Sequence, residues 1–414
     1  VEAPVGTDAD LVIVGGGPAG LTLALGLLRR DPAWARRLLL VEKAHYPREK
    51  LCAGGLGERG WSILGRLGVV PEVPAALVGG ISVCSALGHH IARPGLCGRV
   101  VRRVELDAAL AAAARRAGLR VVEGCAVKEV DEGAERCTLQ TSIGEVKARV
   151  VIGADGVGSV VRRSMGLDGG GLRAQVLEVD TPRVAADLPA DLIHFDASDR
   201  SYAGYIWDFP TPIDGELRMC RGIYVLNVKG GEADGVPSGD GHKLVELLGA
   251  YLAARGLDIA DCRHKRFGER GYAPAGPVAT TRRMLVGEAA GIDPITGEGI
   301  AQAIEYGARA ARLLHEAGVE AAPAAWQARL RGSRLGWDLW VRSRAVPWFY
   351  GRSRPRLEAA FAAAPRMLLA GARHWGALPQ RWGQVGLGLA EGGLGYLRGP
   401  RPLLQSGEAA PAAR

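Results

Sequence analysis

Leu11-Val12-Ile13-Val14-Gly15-Gly16-Gly17-Pro18-Ala19-Gly20-Leu21 reads as a short apolar strand that runs into a glycine-rich turn and then a helix. The glycines follow the G-x-G-x-x-G spacing, in which Gly15 allows the tight turn, Gly17 lets the backbone approach a pyrophosphate, and Gly20 lets helix and strand pack closely. Pro18 and Ala19 open the helix, so phosphate oxygens would sit against its unpaired N–H groups and the positive end of its dipole. A second apolar strand, Leu38-Leu39-Leu40-Val41, ends in Glu42 followed by Lys43. Glu42 stands about 20 residues beyond the turn, where an acceptor for the ribose hydroxyl of an adenine dinucleotide is expected.

Outward from this stretch, 414 residues give room for two or three domains and a sizeable core. No apolar run approaches the ~18 residues of a membrane span, because Glu358, Pro365 and Arg366 interrupt the best candidate, and no secretory signal is visible. The seven cysteines, at 52, 84, 97, 125, 137, 220 and 262, are scattered and form no C-x-x-C pair. That argues against a disulfide framework or a zinc site and fits a reducing cytoplasm, so no metal is expected. The formal charge of +8 is uneven: Trp326 to Arg414 holds 14 arginines, no lysine and four acids, a net +10, which leaves −2 for the preceding 325 residues.

In chain order, Tyr46 to Leu56 is a polar loop ending in the small residues Cys52, Ala53, Gly54 and Gly55, which let a backbone come close to something flat. Leu106, Leu110, Ala113 and Ala114 recur at helical spacing up to Gly118. Strands follow near 119–130, 136–142 and 146–152, the last running into Gly153-Ala154-Asp155-Gly156 and a helix. From Leu172 to Tyr272 short apolar strands predict a mainly antiparallel sheet, interrupted by a loop from Gly230 to Gly241 and a helix near 242–255. Met284-Leu285-Val286 then returns to the first style and leads through Gly287-Glu288-Ala289-Ala290 and Gly297-Glu298-Gly299-Ile300 into an amphipathic helix.

Taken together, Gly15 to Gly20 with Glu42, Arg103-x-x-Leu106-Asp107, Gly153-Ala154-Asp155-Gly156-x-x-Ser159-x-x-Arg162, and Gly287-Glu288-Ala289-Ala290 with Gly297-Glu298-Gly299-Ile300 occur in family order. They resemble the FAD-dependent oxidoreductases that include geranylgeranyl reductases, para-hydroxybenzoate-hydroxylase-like monooxygenases and flavin-dependent halogenases. The resemblance implies an α/β fold, α+β overall. A glutathione-reductase-like FAD-binding Rossmann domain (8–80, 100–171, 276–325) would be interleaved with an antiparallel substrate-binding sheet domain (81–99, 172–275). A C-terminal helical cap (326–398) and a loose tail (399–414) would follow. By the same resemblance Arg103 reaches the flavin side of FAD, Val127 meets the adenine through its backbone, and Asp155, Cys52, Ala53 and Gly54 lie along the cofactor. The helix after Gly297, opened by Gly299 and Ile300, would point at the flavin N1–C2=O edge, where negative charge collects on reduction. Glu288 departs from the family's aspartate; its carboxylate, one methylene longer, does the same work only if the backbone retreats by about a bond length.

Three elements favour the geranylgeranyl-reductase branch: Pro47-Arg48-x-Lys50-x-Cys52-Ala53-Gly54-Gly55, Tyr205-Ile206-Trp207-Asp208-Phe209-Pro210, and Asp293-Pro294-x-Thr296-Gly297-Glu298-Gly299-Ile300. Aromatic hydroxylases usually carry a histidine where this chain has Gly291. Lysine-dependent halogenases need a lysine that is missing between Lys50 and Lys128. The resemblance therefore implies reduction of a carbon–carbon double bond in a hydrophobic small molecule, with NAD(P)H or a reduced protein as electron donor. A C4a-hydroperoxide monooxygenase and, further off, a halogenase are the alternatives.

Tyr205 and Trp207, alternate residues of one strand, are the candidates for facing the substrate. Cys52 is either a functional thiol beside the isoalloxazine or a small residue where bulk would clash. His89 and His90, adjacent on a strand, point to opposite faces and read as a solvated pair. The arginine- and tryptophan-rich segment 326–414 suggests attachment to an anionic membrane surface or to an acidic carrier protein, through residues such as Arg342 and Arg344; nucleic acid is not expected, since no recognition fold surrounds it. The expected location is cytoplasmic, peripheral to a membrane.

Overall fold

The quoted stretch forms the strand Ala9–Val14 in the middle of a seven-stranded sheet. In the computed structural model, which describes residues 9–167, 171–227 and 241–400, it pairs in parallel with Leu38–Val41 on one side and Gly144–Gly153 on the other. Leu11 to Ile13 are wholly buried, which is why a strand covered on both faces reads as an unbroken apolar run. Gly144–Gly153 has two partners in succession. Its first half closes a hairpin with Cys137–Thr141, and its end lies parallel to both Ala9–Val14 and Arg283–Leu285. Three distant segments of chain thus meet at one sheet edge where the strands end in glycine turns.

Pro18–Arg30 packs on Ile300–Ala317, and the approach is close: a Cβ at Gly307 would stand 2.4 Å from the Ala19 carbonyl oxygen.

The second sheet runs in the order Lys265–Arg270, Arg173–Thr181, Glu216–Asn227, Gly204–Ile213, Leu192–Ala197, Gly80–Ser85, Gly88–Ala92. It is antiparallel except where Leu192–Ala197 meets Gly80–Ser85. Alternation divides it cleanly. Tyr205, Trp207, Phe209 and Tyr224 join one core cluster, whereas Ile206, Ile223 and Val225 join another under the helix Gly241–Ala253. A three-stranded sheet of Gly55–Gly57, Gly98–Val101 and Ala75–Val78 was not anticipated from the sequence.

The chain then folds into the helices Ala322–Arg331, Arg334–Tyr350, Arg354–Ala363, Pro365–Trp375 and Trp382–Arg398. Trp326 anchors the first of them, fully buried with its indole N–H donating to the Leu285 carbonyl at 2.9 Å. Most of the 399–414 tail and nearly all of the Gly230–Gly241 loop read from the sequence lie outside the described residues.

Candidate functional site

A continuous cavity of about 920 Å³ lies between the two large sheets. Gly15, Gly17, Pro18 and Ala19 line one end of it. Gly15 has a φ of +103°, and a Cβ there would stand 2.5 Å from the Ala154 carbonyl oxygen, so no side chain fits where the turn crosses the neighbouring strand. Gly20 does not face the cavity; a Cβ there would meet the Gly15 carbonyl at 2.2 Å, which is the close helix–strand contact expected of it. In front of Gly17 only the Arg103 guanidinium comes within 4 Å, at 3.6 Å, and no side chain caps the helix that starts there.

Beneath the turn runs a chain of alternating charge. Glu42 accepts the Gly16 N–H at 2.8 Å and the Ala44 N–H at 3.1 Å, and lies 3.4 Å from Arg48. Arg48 is 3.1 Å from Asp107, and Asp107 takes two hydrogen bonds of 2.7 Å from Arg103. The Tyr46 hydroxyl and Arg48 both donate to the Gly16 carbonyl. This network holds the turn and aims Arg103 into the cavity. Lys43 lies at the rim, exposed, and Val127 begins the strand that borders the same end.

At the helix Val160–Ser164, capped by Ser159, Asp155 accepts the Val160 N–H at 2.7 Å through one oxygen, while its other oxygen is buried without a partner among the described residues. Burial pushes its carboxyl above the ordinary range. Glu288 reaches the neighbouring sheet: its Oε1 accepts the Arg270 N–H at 3.3 Å and its Oε2 would lie 3.7 Å from a Cβ at Gly156. Burial raises this carboxyl too, against the pull of Lys50.

Between the halves of the cavity sits the segment Asp293 to Ile300. Three tyrosine hydroxyls donate to three successive carbonyls: Tyr224 to Pro294 at 2.9 Å, Tyr350 to Ile295 at 2.5 Å, and Tyr205 to Thr296 at 2.5 Å. Asp293, 1% exposed, accepts the N–H groups of Ile295 and Thr296 and a 2.5 Å bond from Arg342. Gly297, Gly299 and Ile300 are thereby presented to the cavity at the start of an uncapped eighteen-residue helix. Tyr205 stacks on Tyr224 at 5.2 Å, so its hydroxyl is committed to positioning this loop. Trp207 packs against Gly222, where a Cβ would stand 2.2 Å from the indole.

Cys52, Ala53 and Gly54 also border the cavity, and burial pushes the Cys52 thiol up to about 11 despite the nearby Arg103. It is a neutral thiol, not a thiolate. Arg342 is a correction: read from the sequence as an outward docking residue, it is held by Asp293 and Glu298 at the cavity wall. Of the histidine pair, the two point to different sides as expected and His89 is exposed, binding Ser82 at 2.6 Å, with Ser82 binding His194 at 2.9 Å; His90 is the correction, half-buried and bordering the cavity instead of solvated.

Sequence reasoning missed Glu269. It lines the cavity on the strand Lys265–Arg270, its Oε2 is buried without a partner among the described residues, and burial with Glu288 nearby holds its carboxyl well above the ordinary range. Alternation from Phe267 was the available signal.

The open space before Gly17, the two uncapped helix N-termini, the Asp155 oxygen left without a partner among the described residues and the Arg103 guanidinium fit a dinucleotide, whose phosphates the first helix would hold and whose ring system the second would face. Fold and site define an FAD-dependent oxidoreductase, and residues 8–195 match the FAD binding domain family. Over 343 residues the chain is 32% identical to digeranylgeranylglycerophospholipid reductase 1 of Methanopyrus kandleri, covering 76% of this chain and 81% of that one. The chain belongs to the geranylgeranyl-reductase family of flavoproteins. It is also 27% identical over 351 residues to a menaquinone reductase of Mycolicibacterium smegmatis, across 78% of this chain and 81% of that one. Among solved structures, a geranylgeranyl bacteriochlorophyll reductase-like protein of Thermoplasma acidophilum superposes with a TM-score of 0.64 at 21% identity, over 94% of this chain and 98% of that one.

Proposed function

We propose that the protein reduces a carbon–carbon double bond in a hydrophobic, polyprenyl- or polyketide-like substrate. The observation that carries this reading is the far half of the cavity. Phe195, Tyr205, Trp207 and Phe209 wall it from the sheet, and Phe361, Met367 and Trp375 also line the cavity, as does Glu269, which lies beside Gly297. FAD bound along the glycine turn, once reduced, supplies a hydride. The chain's own residues do the rest. The tyrosines fix the loop against which the ring system lies, and the aromatic wall excludes water and orients an alkene. Glu269, whose carboxyl burial and the nearby Glu288 hold well above the ordinary range, is the group that gives a proton to the carbon opposite the one that takes hydride.

The named reductases at 27–32% identity favour this over oxygen chemistry. A second G-x-G-x-x-G match, Gly55 to Gly60, falls on the three-residue antiparallel strand Gly55–Gly57 and the helix Glu58–Arg66 rather than on a parallel strand–turn–helix unit, so NAD(P)H or a reduced protein would visit the flavin transiently. Anaerobic turnover of a polyprenyl alkene with dithionite-reduced enzyme is the test: product under strict anaerobiosis is expected. Turnover only after oxygen is admitted, with label from ¹⁸O₂ in the product, would establish a monooxygenase instead.

A further inference from the structure

We propose that the outward face of the terminal helix Trp382–Arg398 seats the protein on an anionic lipid leaflet. The inward face is settled by small residues: Gly388, Gly392 and Gly395 are buried, and a Cβ at Gly395 would stand 2.7 Å from both the Ala359 carbonyl oxygen and the Ala363 methyl. The opposite face is apolar along its whole length. Trp382, Leu387, Leu389, Leu394 and Leu397 are exposed by 76, 53, 59, 52 and 81%, and Gly383, Gly386, Ala390 and Gly393, also exposed, share that face at helical spacing. The two polar side chains inside the helix, Gln384 and Glu391, lie to one flank, where both are bound by Arg366.

Large apolar side chains presented together to water mark a surface that something covers. The helix is about 25 Å long and about 10 Å across, so it offers a few hundred Å², well under the roughly 800 Å² per partner of a stable protein interface. A bilayer needs no matching surface. Arg381 and Arg398, both exposed, stand at the two ends of the helix, with Trp382 beside the first. Arginines at the ends, an aromatic at the boundary and leucines between them suit a helix lying in the plane of anionic headgroups. No described helix is long and apolar enough to cross a membrane, so the contact is shallow.

Position adds a second argument. A Cβ at Gly388 would lie 3.1 Å from the Met367 sulfur, and Met367 lines the apolar end of the cavity. The helix therefore backs the cavity wall at Met367. Docking itself does not depend on which bond the enzyme reduces.

The test is cosedimentation of the full-length, FAD-loaded protein with extruded vesicles of phosphatidylcholine alone or mixed in equal parts with phosphatidylglycerol. Binding to the anionic vesicles at low salt is expected, weakened as the Debye length falls from ~10 Å at 0.1 M to ~3 Å at 1 M. Leu394→Glu with Leu397→Glu, two exposed positions, should lower partitioning by about tenfold or more with flavin content unchanged. Arg381→Glu with Arg398→Glu should weaken only the anionic-vesicle arm. Wild-type binding by the leucine double variant would overturn the proposal, as would equal recovery with both vesicles at every salt concentration. So would a wild-type dimer in light scattering that Leu397→Glu dissociates, or retention by an acidic carrier protein with no vesicle binding.

Discussion

The Glu269 carboxylate lies directly across from Gly297: a Cβ built at Gly297 would stand 2.6 Å from Glu269 Oε2. Gly297 also has a φ of +65°, so its lack of a side chain serves both the backbone and the space the acid occupies. Gly297→Ala should cost about 1 kcal/mol from backbone conformation and further displace Glu269. Lower FAD retention on gel filtration, with an unchanged far-UV spectrum, is the expected result.

Glu269→Gln removes the proton but keeps the shape. Anaerobic product formation should fall by roughly 10²-fold or more, while FAD content stays at the wild-type level. The protonated carboxyl is the competent form and its pKa is raised, so the wild-type rate should decline as pH rises through that raised value. That alkaline limb should vanish in the variant; a superimposable pH profile would remove Glu269 from the reaction.

Gly17→Val should leave a folded but colourless protein. Only the end of Arg103 lies within 4 Å of a Cβ there, so branched bulk would grow into the open space that the pyrophosphate would need. The flavin-to-protein absorbance ratio after purification reports the outcome.

Glu178 is 2% exposed, and burial pushes its carboxyl up to about 7 although Lys265 stands 3.9 Å away. A carboxyl with a raised folded pKa favours the folded state below its unfolded value of 4.5. That contribution is lost as pH climbs toward 7. Glu178→Gln should therefore match wild type near pH 5 and exceed it above pH 7, by at most about 3 kcal/mol. Thermal melts across that range give the comparison.

Arg342→Ala strands Asp293, which is buried, with no cation. A loss of about 3–5 kcal/mol is expected, together with weaker FAD binding, because the Asp293 loop leads into Gly297. Adding Asp293→Asn should recover part of the melting temperature. A purely solvated arginine would show neither the loss nor the rescue.

The glycine turn and Glu42 were legible because their roles are local: a fixed spacing, a strand end, a helix start. Tyr205, Trp207 and Phe209 were legible as one face of a strand because alternation needs no partner. Glu269 was not. It stands among Lys265, Arg266 and Arg270, where alternation from the single aromatic Phe267 is a faint signal, and pairing with Arg173–Thr181 is what shows which side of that strand is inward. Arg342 misled for the complementary reason. It belongs to a run of arginines whose composition suggests a surface, yet Asp293, 49 residues earlier, turns it inward. The tyrosine triad draws on positions 205, 224 and 350, and only the tertiary fold brings them together.

That triad ties the aromatic sheet and the helix Arg334–Tyr350 to one short loop. Each of its three hydroxyls is already spent on a carbonyl, so a molecule that shifts Tyr205 or Tyr224 also shifts the backbone leading into Gly297. The two ends of the cavity are then thermodynamically linked. Whatever factor an occupant of the aromatic end applies to the affinity for FAD, bound FAD returns to that occupant. The enzyme's hold on its cofactor is in this sense a reporter of what lies beside it, readable by titrating FAD with and without substrate before any turnover is observed.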